Sequence, residues 1–205
     1  MIEPYIICST ELFLKVIFLN KDRIMALTDG IVAIAATIMV LELAVPQTIT
    51  ISSLLAQGPV FYSYLVSFVL IYLAWRSHHN AFEKADVIDG KVFLANGIWL
   101  FFITLIPFTT ALVGNAPSET LTEAIYVVSL ILWISSFQFL DIAITKANPL
   151  APKDEGRDNT ARLVLFGGHF LALAVAFIAP IYTLIVLGVD VLIMAVGIIL
   201  NSNNS

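Results

Sequence analysis

The chain has 205 residues, a net charge of −5, and is 60% hydrophobic with only 12% charged residues. A soluble domain carries about a quarter charged residues, so this composition excludes an ordinary soluble fold and indicates a membrane protein, with no nucleic-acid partner expected. The single cysteine, Cys8, excludes an internal disulfide framework and a cysteine-rich metal site.

Residues 1–22 read as an interfacial or disordered lead-in. IICSTELFLKVIFL is apolar but too short to span, and Glu3 and Glu11 lie in or beside it. A spanning helix needs about 20 apolar residues, and six candidates follow: 25–45, 53–75, 92–113, 121–145, 161–179 and 181–200. The last two come from one long block that Pro180 breaks. Residues 201–205 read as a disordered tail. The runs are continuous rather than alternating, so the expected fold is an all-α integral membrane protein with a six-helix domain over 23–200 and no barrel.

Orientation follows from the basic residues. Lys15, Lys21 and Arg23 precede the first span; Arg76, Lys84 and Lys91 lie between spans two and three; Lys146, Lys153, Arg157 and Arg162 lie between spans four and five. The alternate loops, 46–52 and 114–120, carry none, nor does the turn at Pro180. The positive-inside rule then makes both termini cytoplasmic. A multi-pass protein of the cell membrane is expected.

On a helix at 100° per residue, Leu27, Ile34, Ile38, Leu41 and Val45 of the first span form one stripe, with Ile31 at its edge. Ala26, Gly30, Ala33, Thr37 and Ala44 form a stripe of small residues beside it. Small residues let a second helix approach closely. Lipid contact, ordinary packing and a pore lining would all produce the large stripe, and periodicity does not separate them. Asp29, near Arg23 and Thr28, sits about one turn inside the cytoplasmic end. Membrane acids have partners, so it is either a tie between helices or an ion or proton site.

WRSHHN, 75–80, reaches the same depth at the end of span two, as do Asn96 and Asp141. Trp75, His78 and His79 are candidate partners of Asp29. Adjacent His78 and His79 point about 100° apart and make a poor chelate, so carboxylate–histidine hydrogen bonding is expected there and a metal is not. Deeper, His169 follows Gly167–Gly168, and Asp190 lies midway along span six. A hairpin at Pro180 that brings them to one depth would pair them. KDEGRDN, 153–159, reads as a solvated connection. The chain has no TVGYG-type filter, no Arg-rich helix, and no Walker A, GxSxG or HExxH motif.

Arg23-Ile24-Met25-Ala26-Leu27-Thr28-Asp29, followed by AIAATIMVLEL, resembles the Arg-x-x-x-Phe-Ser-Asp signature of the transmembrane protein 175 family, the endolysosomal potassium channel of animals and its single-repeat prokaryotic relatives. Leu27 replaces Phe and Thr28 replaces Ser. The six-span layout and WRSHHN share the likeness. The resemblance implies a homotetramer with four copies of the first helix around a central pore. It implies a narrow ring at Ile34, with Ile38 and Leu41 further outward, and a threonine layer at Thr37 that favours potassium. It also implies an inner network of Arg23, Asp29, Trp75 and His78 or His79. Potassium is then the permeant ion and no cofactor is needed. The alternative is a proton-coupled secondary transporter using Asp29, His78, His79, His169 and Asp190.

Overall fold

The computed structural model describes residues 20–151 and 157–202. The lead-in up to residue 19, the connection 152–156 and residues 203–205 lie outside the described residues. Those described form helices and turns, with no strand among them.

Helix α1, Lys21–Ile38, starts where the Asn20 side chain accepts a hydrogen bond from the Asp22 N–H at 2.9 Å. Asp22 adds an acid where the helix dipole favours one. A 3₁₀ turn, Met39–Glu42, prolongs it. Helix α2, Ile51–Leu55, is a single turn closed by a capping box between Thr50 and Ser53. Helix α3, Gly58–Glu83, opens with Pro59 in its first turn, where a missing N–H costs nothing. Helix α4, Gly90–Asn115, begins at Asp89, whose side chain accepts from the Lys91 and Val92 N–H groups. Helix α5 is Thr120–Ala147, α6 is Arg157–Ile178 and α7 is Thr183–Ser202. Between the last two, extended backbone at Ala179 and a 3₁₀ turn, Pro180–Tyr182, make the reversal that the proline suggests.

Five of these segments are long and apolar enough to cross a membrane: Lys21–Glu42, Gly58–Glu83, Gly90–Asn115, Thr120–Ala147 and Pro180–Ile199. The apolar part of α6 is shorter, Arg162–Ile178. The second span differs most from its expected limits of 53–75. Residues 51–55 belong to the separate turn α2, and α3 runs on to Glu83. WRSHHN is therefore inside a helix, not at its end. Lys21 stabilises that extension, because its Nζ donates to the carbonyls of Ala85 (2.9 Å) and Glu83 (3.3 Å) where α3 ends.

The core lies between α3, α4 and α5. Trp99, Trp133, Tyr126, Phe82, Ile103, Ile106 and Leu130 are fully buried there. Hydroxyls knit the three helices: Ser67 Oγ lies 2.7 Å from Thr110 Oγ1 and 2.6 Å from Tyr126 Oη. Asn148, just past α5, braces the inner end. Its Oδ1 accepts from the Asp86 and Val87 N–H groups and its Nδ2 donates to the carbonyls of Val87 and Ile144.

Candidate functional site

The candidate site is α1 and what holds it. One face of α1 packs on the bundle through Ile24, Thr28, Val32, Ala35 and Met39, all buried. The large apolar stripe, roughly 110° around the helix from that face, is left uncovered by the single chain: Leu27 is 55% exposed, Ile34 59%, Ile38 44% and Leu41 77%. Ala26, Gly30, Ala33 and Thr37, the small stripe, are exposed too. Thr37 Oγ1 donates to its own helix, at the carbonyls of Ala33 (2.9 Å) and Ile34 (3.0 Å). Its oxygen accepts no hydrogen bond from a described residue.

The N-terminal half of α1 is tied by two sets of polar contacts. In the first, Thr28 is fully buried and its Oγ1 accepts from Asn96 Nδ2 at 3.1 Å. Asn96 Oδ1 in turn accepts from His78 Nε2 at 2.8 Å. The His78 ring is stacked between Phe82 (4.4 Å) and Trp99 (4.7 Å). Three helices, α1, α3 and α4, thus meet in one buried chain of donors and acceptors. In the second, Trp75 Nε1 donates to Asp29 Oδ1 at 2.8 Å, and the indole stacks on His79 at 5.8 Å.

This corrects the expectation of carboxylate–histidine bonding at Asp29. Neither His78 nor His79 hydrogen-bonds it, since the indole of Trp75 holds that position. The adjacent histidines diverge as their 100° separation requires, His78 into the core and His79 outward. Arg23 is exposed on α1 and makes no ion pair with a described residue. Leu27, the residue standing where the signature has Phe, is more than half exposed and lies outside the buried core.

The C-terminal half of α1 has mainly apolar anchors, with one weak polar contact, Thr110 Oγ1 to Met39 Sδ at 3.8 Å. Beside it a groove of about 750 Å³ runs between α1 and α4, lined by Ile31, Ile34, Ile38, Pro107 and Phe108 among others. A smaller one, about 270 Å³, lies between α1 and α3.

His169 and Asp190 lie in the α6–α7 hairpin, both buried. His169 Nδ1 donates to the Leu165 carbonyl at 2.8 Å and lies 3.0 Å from Asp190 Oδ2. Gly168 makes room for this, because a Cβ at that position would overlap the Asp190 carboxyl. Asp141 pairs instead with Arg162, at 2.6 Å, across α5 and α6. No group of three or more His, Cys, Asp or Glu side chains is placed to hold a metal among the described residues.

Sequence reasoning put Asn96 at the right depth but did not see it as the link between α1 and His78. The signal is one polar residue in the run that is otherwise apolar after Lys91 at the start of α4. It also missed a stripe on α3, where Phe68, Tyr72, Trp75 and His79 recur every three or four residues.

The family model for the endosomal/lysosomal potassium channel TMEM175 matches residues 23–107, which hold both polar ties. A potassium channel of Chryseobacterium sp. is 33% identical over 128 residues, 62% of this chain and 67% of that one. A potassium channel of Chamaesiphon minutus is 39% identical over 102 residues, 47% of this chain and half of that one. The crystal structure of a lysosomal potassium-selective channel TMEM175 homolog from Chamaesiphon minutus superposes with a TM-score of 0.71 at 29% identity. The match covers 86% of this chain and 96% of that one.

Proposed function

The chain belongs to the family of the endosomal/lysosomal potassium channel TMEM175, and on that premise we propose that it is a leak-type potassium channel of the cell membrane. It works as a homotetramer with four copies of α1 around the conduction path. The family is one of ion channels, not of enzymes. The observation that carries the pore reading is the uncovered stripe of α1. A helix that buries Ile24, Val32 and Met39 yet leaves Ile34, Ile38 and Leu41 bare has a second apolar face to use.

All six long helices cross the membrane, with both termini cytoplasmic. The 22 residues of α6 reach about 33 Å at 1.5 Å per residue. The side-by-side placement of His169 and Asp190 about the turn at Pro180 supports α6 and α7 as an antiparallel hairpin, so α6 crosses if α7 does.

In this reading Ile34 forms the narrowest ring, with Ile38 and Leu41 outward of it. An ion in an apolar neck keeps part of its water or loses it at a cost of several kcal/mol. Potassium, which holds its water less tightly than sodium, crosses more readily, and such constrictions also gate by dewetting. Thr37, whose hydroxyl hydrogen is committed to its own backbone, turns lone pairs toward the ion and lowers that cost. Below the neck, Asp29–Trp75 and Thr28–Asn96–His78 keep the inner halves of the four helices in register. Arg23, Leu27 and His79 sit beside these ties, and Arg23 is free to pair with an acid of a neighbouring copy.

The deciding experiment is ion flux into liposomes holding the purified protein. Potassium uptake driven by its own gradient, faster than sodium uptake and indifferent to a proton gradient, is the expected result. A second reading, proton-coupled secondary transport, draws on the buried His169–Asp190 pair. Uptake that requires a proton gradient would decide for it.

A further inference from the structure

The groove between α1 and α3 has a chemistry that conduction does not use. One wall is aromatic: Phe68, Tyr72 and Trp75 follow one another at helical spacing, with Tyr72 and Trp75 ring centroids 6.0 Å apart. The facing wall is the small-residue flank of α1, Ala33 and Ala36, and at its inner end stands the Asp29 carboxylate. The indole N–H of Trp75 takes Asp29 Oδ1, while Oδ2 receives no hydrogen bond from a described residue. Phe68 and Tyr72 are exposed, so their faces are not covered by the bundle.

A carboxylate set among aromatic faces attracts cations, since each ring presents a negative face. Alkali ions and divalent metals need several oxygen ligands, and the groove offers one carboxylate and one phenol. An alkylated ammonium needs none, because its charge is spread over apolar groups that pack on rings. Ligand pockets run from about 300 Å³ upward, and the 270 Å³ here suits a small head group rather than a drug-sized molecule.

We propose that this groove is a binding site for an organic ammonium ion, held by Asp29 charge and by the faces of Phe68, Tyr72 and Trp75. It opens at the depth of Asp29, about one turn inside the cytoplasmic end of α1, where both a dissolved alkylammonium and the head group of an inner-leaflet choline lipid could enter. The inference concerns the α1–α3 flank and not the Ile34 face, and it rests on the proposed assembly leaving that flank open beside the neighbouring copy.

The test needs no conduction. The protein carries three tryptophans, of which Trp99 and Trp133 are buried. Labelled with 5-fluorotryptophan and placed in phosphatidylglycerol nanodiscs, it is titrated with tetraethylammonium and followed by ¹⁹F NMR, with the Trp75 signal assigned by Trp75→Phe. A saturable shift of Trp75 alone is expected. It weakens roughly tenfold in Tyr72→Ala, an exposed position, and is lost in Asp29→Asn. Ile34→Ala leaves it unchanged. No shift at Trp75, equal shifts at all three tryptophans, or a shift indifferent to Tyr72→Ala would each overturn the site. A shift that Ile34→Ala removes would mean plugging of the pore and would also overturn it. Replacing part of the lipid with phosphatidylcholine, whose head group is an alkylated ammonium, separates the sources. The same shift without added salt identifies a lipid head group, and its absence beside a tetraethylammonium response identifies a soluble ammonium.

Discussion

The two halves of α1 are held by different physics. From Arg23 to Asp29 the helix is fastened by directional bonds, Thr28 to Asn96 and Asp29 to Trp75. From Ile31 to Glu42 it rests mainly on shape, through Val32, Ala35 and Met39, with one weak polar contact from Thr110 Oγ1 to Met39 Sδ at 3.8 Å, beside a groove of about 750 Å³. Within a bilayer, apolar contact between helices has no water to expel and depends on close packing. The inner half is therefore fixed in angle and depth, and the outer half is free to adjust to what lines its other side. A conducting path whose narrowest part lies on the adjustable half can widen without disturbing its fastening.

The contrast can be broken at either end. The largest stability loss is expected from Asn96→Leu, which orphans His78 Nε2 and Thr28 Oγ1 together and costs about 2–3 kcal/mol. Thermal unfolding in detergent would show it. The triple change Thr28→Val, Asn96→Leu, His78→Phe removes all three polar groups at once and recovers most of that loss, because apolar replacements leave nothing unpaired. If the triple variant is as unstable as the single one, the bonds are not what holds the inner half. Met39→Ala, in the outer half, leaves a cavity under a fully buried side chain and costs about 2 kcal/mol in the same assay. Trp75→Phe, which gives up one hydrogen bond to a solvent-reachable carboxylate, costs about 1 kcal/mol. The smallest effect on stability, within about 0.5 kcal/mol, is expected from Ile34→Asn on the uncovered face. That variant instead raises sodium passage relative to potassium in liposome flux. Unchanged relative permeability with intact folding would remove Ile34 from the neck.

The sequence carried part of this. Hydropathy and the punctuation of Pro180 marked the helices, since a membrane-length apolar run admits little else. Pro180 lies eleven residues after His169 and ten before Asp190, so a symmetric hairpin sets the two at one depth, and they lie 3.0 Å apart. Spacing told which residues of α1 share a face, but not which face turns inward. Ile24, Val32 and Met39 are as apolar as Ile34, Ile38 and Leu41, and in lipid the inside is not marked by hydrophobicity. The end of α3 was illegible for another reason: polar residues after Trp75 suggest an exit from the membrane, yet a helix continues past the membrane surface if its end is capped, as Lys21 does here. Trp75 stood among the candidate partners of Asp29, but histidine was favoured as the familiar companion of a carboxylate, while the indole one residue before Arg76 had the reach and a single donor to place.

Gly168 and the Asp190 carboxyl share one volume. In evolutionary terms they behave as one heritable unit spread over two codons. A side chain added at 168 must push the acid at 190 aside or follow its loss, and an acid at 190 is accommodated best opposite a glycine. Related chains should therefore divide into those with both features and those with neither, with intermediates scarce because each would have to pass through a clash in the middle of the membrane.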